Sequence, residues 1–315
     1  MGRYPGRRIT RLEIYEVKLK DMIKNTISVL LALYVSVFIL SSCDVKSPIY
    51  NTDHPGQGKV TLTTDWTDRG EGVDKPVAYI VELDGYCEEA KTDLHMLDKA
   101  FDPGNYTLYT YSNVEELSVS NGTATLRTVP APDGASGTYV EPLSGWLLAA
   151  TLPVSITADT KHAFTVSTHQ HSRQLTFLIE PDEAVQDMVM GVTASLSGVA
   201  GAWDLAGNQS VGAPATVSIS FTRITEGTHA GKWQGAVLLL GITGNSQQLT
   251  LTVTPPSGTL PFAVNSDLST ELAGFNADKK TPLSLSATIG MFEIGPGASG
   301  IITDWEKDSF VIDAE

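Results

Sequence analysis

Apolar residues recur at every second position in nearly every apolar segment after residue 43, and that periodicity restricts the chain to strands buried on one face. The first series runs through Val60-Thr61-Leu62-Thr63-Thr64-Asp65-Trp66, residues 77–83, 106–111 and 124–129. Phe101-Asp102-Pro103-Gly104-Asn105 has the chemistry of a turn, and Asn121-Gly122 between Val119 and Ala124 that of a hairpin loop. These elements predict one antiparallel β-sandwich over residues 58–168. A second series begins at residues 175–179 and continues through Met188, Met190, Val192, Ala194 and Leu196. It resumes at Val217, Ile219 and Phe221, at residues 233–242, at Leu249, Leu251 and Val253, and at Leu283, Leu285, Ala287 and Ile289, enough for a second sandwich over residues 172–315. The polar run at residues 169–173 reads as the connector between them. One segment departs from the pattern. Leu268, Leu272 and Phe275 fall at helical spacing, with Ser266 and Asp267 as caps and Gly274 near the end, which predicts a short helix covering a sheet edge.

Upstream of the strands the chain reads as a targeting segment. Residues 27–40 are almost free of polar groups, follow Lys24, and close on Leu40-Ser41-Ser42-Cys43. A membrane-spanning helix needs about 20 apolar residues, whereas an apolar core of this shorter length with small residues after it is that of a signal peptide. The closing tetrapeptide resembles the lipobox of bacterial lipoproteins, which implies a diacylglycerol on the Cys43 sulfur and a fatty acid on its new amino terminus. Met22-Ile23-Lys24-Asn25 already supplies a start and a positive head, so residues 1–21 read as an upstream extension, 22–42 as the signal peptide and 43–57 as a tether.

Without residues 1–42 the chain keeps 14 basic against 33 acidic side chains, a net charge of −19. Such a surface repels phosphate backbones and argues against a nucleic-acid partner. With Cys43 lipidated, Cys87 is the sole remaining thiol, so the 273 remaining residues must be held by their cores, and two domains are expected.

Motifs that carry chemistry are missing. There is no Gly-x-Ser-x-Gly elbow, no His-Glu-x-x-His and no phosphate-cradling loop. His169 and His171, two apart, would share a strand face, a spacing that can bind metal, but no Cys or third His accompanies them nearby to complete a zinc site. Asp65, Asp68, Glu71 and Asp74 form an acidic cluster without the spacing of a calcium loop, and read as a solvated loop. Tyr106, Tyr109 and Tyr111 with Trp146, or Trp203 with Trp233, could stack on sugars, although strand aromatics mostly fill cores. No catalytic residue, metal or cofactor is expected.

Three segments resemble the fimbrillin-like lipoproteins of Bacteroidales, in particular the minor or anchoring subunits of their fimbriae. They are Gly58-Lys59-Val60-Thr61-Leu62-Thr63-Thr64-Asp65-Trp66; Phe101-Asp102-Pro103-Gly104-Asn105-Tyr106-Thr107-Leu108; and a final third in which Leu249-Thr250-Leu251-Thr252-Val253, Asp267-Leu268, Gly274-Phe275, Leu283-Ser284-Leu285 and Trp305 follow the family's order. The resemblance implies two transthyretin-like antiparallel β-sandwiches in tandem and adhesion through a surface polymer. It also implies arginine-directed cleavage after the first strand in polymerising members, whose vacated groove a neighbour's strand then fills by β-strand addition. Arg69 lies just beyond the first strand here, among only three other arginines after Cys43: Arg127, Arg173 and Arg223. Val60, Leu62 and Trp66 would be the apolar positions of an exchanged strand. The expected role is a non-enzymatic, outer-membrane-tethered fimbrial anchor or accessory subunit, with other fimbrial subunits as partners and an unidentified surface ligand. The alternative classes are a surface glycan-binding lipoprotein for polysaccharide uptake and a glycoside-active enzyme with two carboxylates across a cleft.

Overall fold

The computed structural model describes residues 56–132, 134–256, 260–293, 299–303 and 305–308, so Cys43, the signal segment and most of the tether lie outside the described residues. The described chain is all-β. Its first half runs β1 (Lys59–Asp65), β2 (Tyr79–Leu83), β3 (Tyr86–Ala90), β4 (Leu94–Met96), β5 (Gly104–Ser112), β6 (Leu117–Ser120), β7 (Thr123–Leu126), β8 (Thr128–Val129), β9 (Tyr139–Val140), β10 (Leu148–Ile156), β11 (Lys161–Ser167) and β12 (His169–Gln170). The second half runs β13 (Arg173–Pro181), β14 (Gly191–Asp204), β15 (Gln209–Arg223), β16 (Trp233–Leu239), β17 (Gln248–Thr254), β18 (Phe262–Asp267), β19 (Leu283–Glu293), β20 (Ser299–Ile302) and β21 (Glu306–Asp308).

The first sandwich faces a three-stranded sheet, β11-β1-β4, against a five-stranded one, β12-β10-β5-β2-β3. Alternate residues of both meet inside: Val60, Leu62, Val81, Leu83, Leu108, Val154, Ile156 and Val166 belong to one buried cluster. In the second half β15 passes between layers, pairing with β14 up to Ser220 and with β16 over Phe221–Arg223. The core lies between the layers, where Leu196, Val217, Leu249, Leu251 and Val253 join Leu175, Phe177, Ile179, Leu285 and Ile289.

Local expectations hold where the chemistry is local. The β6–β7 hairpin turns through Asn121 and Gly122 at φ +49° and +74°, the left-handed pair that a two-residue loop demands. A Cβ on Gly122 would also fall 2.4 Å from the Tyr109 ring, so the residue is constrained twice.

Four features differ from the sequence reading. Three pairings are parallel, β1 with β11, β13 with β19 and β9 with β15, because crossover connections bring these strands together with the same direction. Second, the stretch that contains β6 to β9 lies within residues 58–168, yet β7 pairs with β14 and β9 with β15, and Ala124, Leu126 and Val140 bury in the second core. Third, Leu268, Leu272 and Phe275 are fully buried as expected, but residues 269–277 form successive turns with one helical bond, Leu272 N–H to Leu268 O at 2.9 Å, instead of a helix. A nucleus so short gains too few bonds to propagate, and burial of these side chains holds it together with the Arg173 bond to Phe275 O and the paired bonds of the Asn276 amide with the Ile242 backbone. Fourth, Met188 ends a single 3₁₀ turn (Gln186–Met188) and Met190 is 63% exposed, so the inward face of β14 starts at Val192.

Candidate functional site

β1 occupies the middle of its sheet. Seven of its positions pair with β11 from Lys59↔Lys161 to Asp65↔Ser167, and three pair with β4 on the other side. Val60 and Leu62 are fully buried, and Trp66 just beyond is 4% exposed, its ring set edge-on to Tyr79 at 5.0 Å. The three positions expected to belong to an exchangeable strand thus share one inward face. Their burial gives the strand its register, since a one-residue slip would place all three in water.

Arg69 sits in the loop that follows, half-buried, its guanidinium turned back onto its own chain. Nε donates to Val73 O at 2.7 Å and Nη1 donates to Trp66 O. Asp65 accepts the Thr67 N–H at 2.9 Å. Asp68 reaches outward, pairing with Lys280 and with His169 Nδ1, the latter at 2.5 Å, and these partners hold its carboxyl below the usual carboxylate range. The Gly70 N–H donates to Gln170 Oε1 at 2.9 Å. Two of the four acidic residues of the cluster therefore serve the loop and its docking.

The run at residues 169–173, expected as a polar connector, is buried from Gln170 to Arg173. The two histidines do not share a face: His169 is exposed beside Asp68, whereas the chain leaves β12 after Gln170 and turns His171 inward. Trp203 Nε1–H donates to His171 Nδ1 at 3.2 Å, which fixes Nδ1 as an acceptor. Burial pushes the His171 pKa down to about 4. Arg173 donates to Thr281 O and Phe275 O at 2.6 and 2.9 Å, and Ser172 Oγ accepts the Leu147 N–H at 2.9 Å. Lys279 donates to Leu240 O at 2.6 Å with its nitrogen 4.2 Å from the centre of the Trp203 ring, and burial lowers its pKa to about 7. Sequence reasoning missed this hub. The available signal was that residues 168–174 contain no Gly or Pro, the usual marks of a solvated linker.

Among the aromatics, Trp203, Trp233 and Tyr111 are buried in the second core, as the core reading expects. Trp146 is only half-buried and, with Asp74, Asn113 and the exposed Val77, lines a cleft of about 480 Å³.

No family model matches the chain, and no curated protein matches it either. Solved structures do. Two candidate adhesins of Bacteroides ovatus superpose with TM-scores of 0.53 at 14% and 11% identity, covering 81% and 80% of this chain and 95% and 96% of theirs. The fimbrial anchor protein Mfa2 of Porphyromonas gingivalis superposes with a TM-score of 0.53 at 11% identity, over 81% of this chain and 98% of its own. The likeness is one of fold, and it extends over nearly the whole length of those proteins.

Proposed function

We propose that the chain is a non-enzymatic anchor or accessory subunit of a surface fimbrium, held to the outer membrane by lipid on Cys43 and joined to other fimbrial subunits by β-strand addition. The observation that carries this reading is the closed first strand. β1 is hydrogen-bonded on both edges and buries Val60 and Leu62 completely, and its following loop is docked with the Arg69 side chain engaged. A subunit that polymerises by losing this strand needs the loop open; one that stays at the base needs it shut. The fold shared with Mfa2, itself a fimbrial anchor, supports the same role. The two sandwiches, the second completed by strands β7 and β9 from within residues 58–168, form in this reading the body presented by the tether at residues 43–57.

The test has two parts. The Cys43→Ser variant leaves the membrane fraction, whereas the parent chain stays bound through a high-salt wash that strips electrostatic attachment. Amino-terminal sequencing of the protein in assembled fimbriae finds an intact lipidated end at Cys43. A mature end at Gly70 instead overturns the anchor role.

A second reading, surface glycan binding, is favoured by the cleft at Trp146. There a half-buried indole stands beside the exposed polar side chains of Asn113 and Asp74, the pairing of apolar face and hydrogen-bonding rim that small-molecule sites use.

A further inference from the structure

The loop at residues 66–73 is tied to parts of the chain far from it in sequence. Asp68 is bonded to His169 and to Lys280, which are 101 and 212 residues away. The Gly70 N–H is held by Gln170 Oε1, and the same Gln170 side chain donates through Nε2 to Lys279 O at 2.6 Å and Ser172 O at 3.0 Å. One amide side chain thereby bridges the loop and the later turn. The approach is so close that a Cβ on Gly70 would stand 2.4 Å from Lys280 O, a backbone atom that cannot swing away.

The turn that receives the loop is itself rooted. Asp278 Oδ1 accepts the N–H groups of Lys280 and Thr281 at 3.0 and 3.2 Å. Arg173 donates to Thr281 O, and Lys279 is sunk between Leu240 O and the Trp203 ring. Inside the loop, Arg69 N–H donates to Thr67 O at 3.0 Å, Val73 N–H to Gly70 O at 3.2 Å, and the guanidinium to Trp66 O and Val73 O.

An endoprotease needs several residues on each side of the cut bond laid out extended in its cleft, with the arginine side chain free to enter a pocket. Residues 66–73 meet neither condition while docked. We propose that residues 169–170 and the turn at 278–281 form a latch that withholds the Arg69–Gly70 peptide bond from arginine-directed proteolysis and so keeps the first strand in place. The proposal deepens the anchor reading above, on which it rests, by assigning the regulation of that loop to named residues. Cleavage then requires the loop to detach, and its rate follows the open population when opening and closing are fast compared with cutting.

The experiment incubates the purified full chain with an arginine-specific endoprotease and follows the fragment beginning at Gly70 by mass spectrometry. Asp68→Asn removes the charge that Lys280 and His169 hold. Gly70→Ala forces the loop from Lys280 O by bulk, with every charge left in place. Each is expected to raise the rate of cutting after Arg69 about tenfold, the effect of opening a local equilibrium through one docking contact. Asp187→Asn, an exposed position remote from the latch, leaves the rate unchanged, and cutting after Arg127 stays constant in every variant. Circular dichroism and urea midpoints confirm that each variant is folded. The proposal is overturned if the parent chain is cut after Arg69 as fast as a peptide of residues 64–75, or if both folded variants are cut no faster than the parent. These outcomes are read on isolated protein and do not depend on whether the chain is found in fimbriae, so the latch and the anchor role fail separately.

Discussion

Acidification should weaken this protein before its carboxylates begin to titrate, and His171 is the reason. The side chain is 3% exposed, beneath Trp203, whose indole N–H occupies Nδ1. Removing it from water disfavours the charged imidazolium, which lowers its pKa from the ordinary 6.5 to about 4. The folded state therefore binds fewer protons than the unfolded state between those values. By linkage, the stability is fully present above pH 6.5 and is lost as the pH falls toward 4. At about 1.4 kcal/mol per pH unit over that interval, the loss reaches about 3 kcal/mol at pH 4. Asp65, Asp68, Asp267 and Asp278 also sit below their ordinary value of 3.8, and Glu116 below 4.5, so their contributions are present above those values, are lost as the pH falls through the folded-state values, and are common to parent and variant. The assay is urea unfolding at pH 7 and pH 4 on the parent and on His171→Gln, whose amide oxygen can still accept from Trp203 but does not titrate. The parent should lose about 3 kcal/mol more than the variant over that interval. Equal losses would refute the inference that His171 is held neutral by burial.

Two further outcomes follow from the packing. Leu62→Ala should cost about 2–5 kcal/mol, because the side chain is fully buried at the centre of the first sandwich; Thr63→Ala, outward-facing on the same strand, should change stability by about 0.5 kcal/mol or less in the same urea titration. If the cleft at Trp146 binds glycans, Trp146→Ala should weaken retention on immobilised surface polysaccharide at least about tenfold with the urea midpoint little changed, the loss expected when a stacking indole is removed. Unaltered retention would remove that cleft from consideration.

Much of the architecture is legible along the chain because strand formation is encoded locally. Alternation tells which residues of β1 or β17 turn inward, and Val60, Leu62, Leu249, Leu251 and Val253 do. The Asn121-Gly122 turn is encoded by the same short-range sterics. Cys43 stays a reading of sequence alone, since the motif around it is a targeting signal and lies outside the described residues. What alternation leaves open is the partner. A strand with a buried face can satisfy its edges against any neighbour that offers hydrogen bonds. Nothing local in Lys59–Asp65 names Lys161–Ser167 as its parallel companion, nor assigns Ala124 and Leu126 to the second core. The same holds for the polar residues. His169, Gln170, His171, Ser172 and Arg173 look alike as a hydrophilic run, and only tertiary contacts with Asp68, Trp203, Phe275 and the turn at 278–281 separate the exposed His169 from the four buried residues after it. Burial of a polar group is decided by whether distant chain supplies its hydrogen bonds, and that supply exists only once the fold has formed.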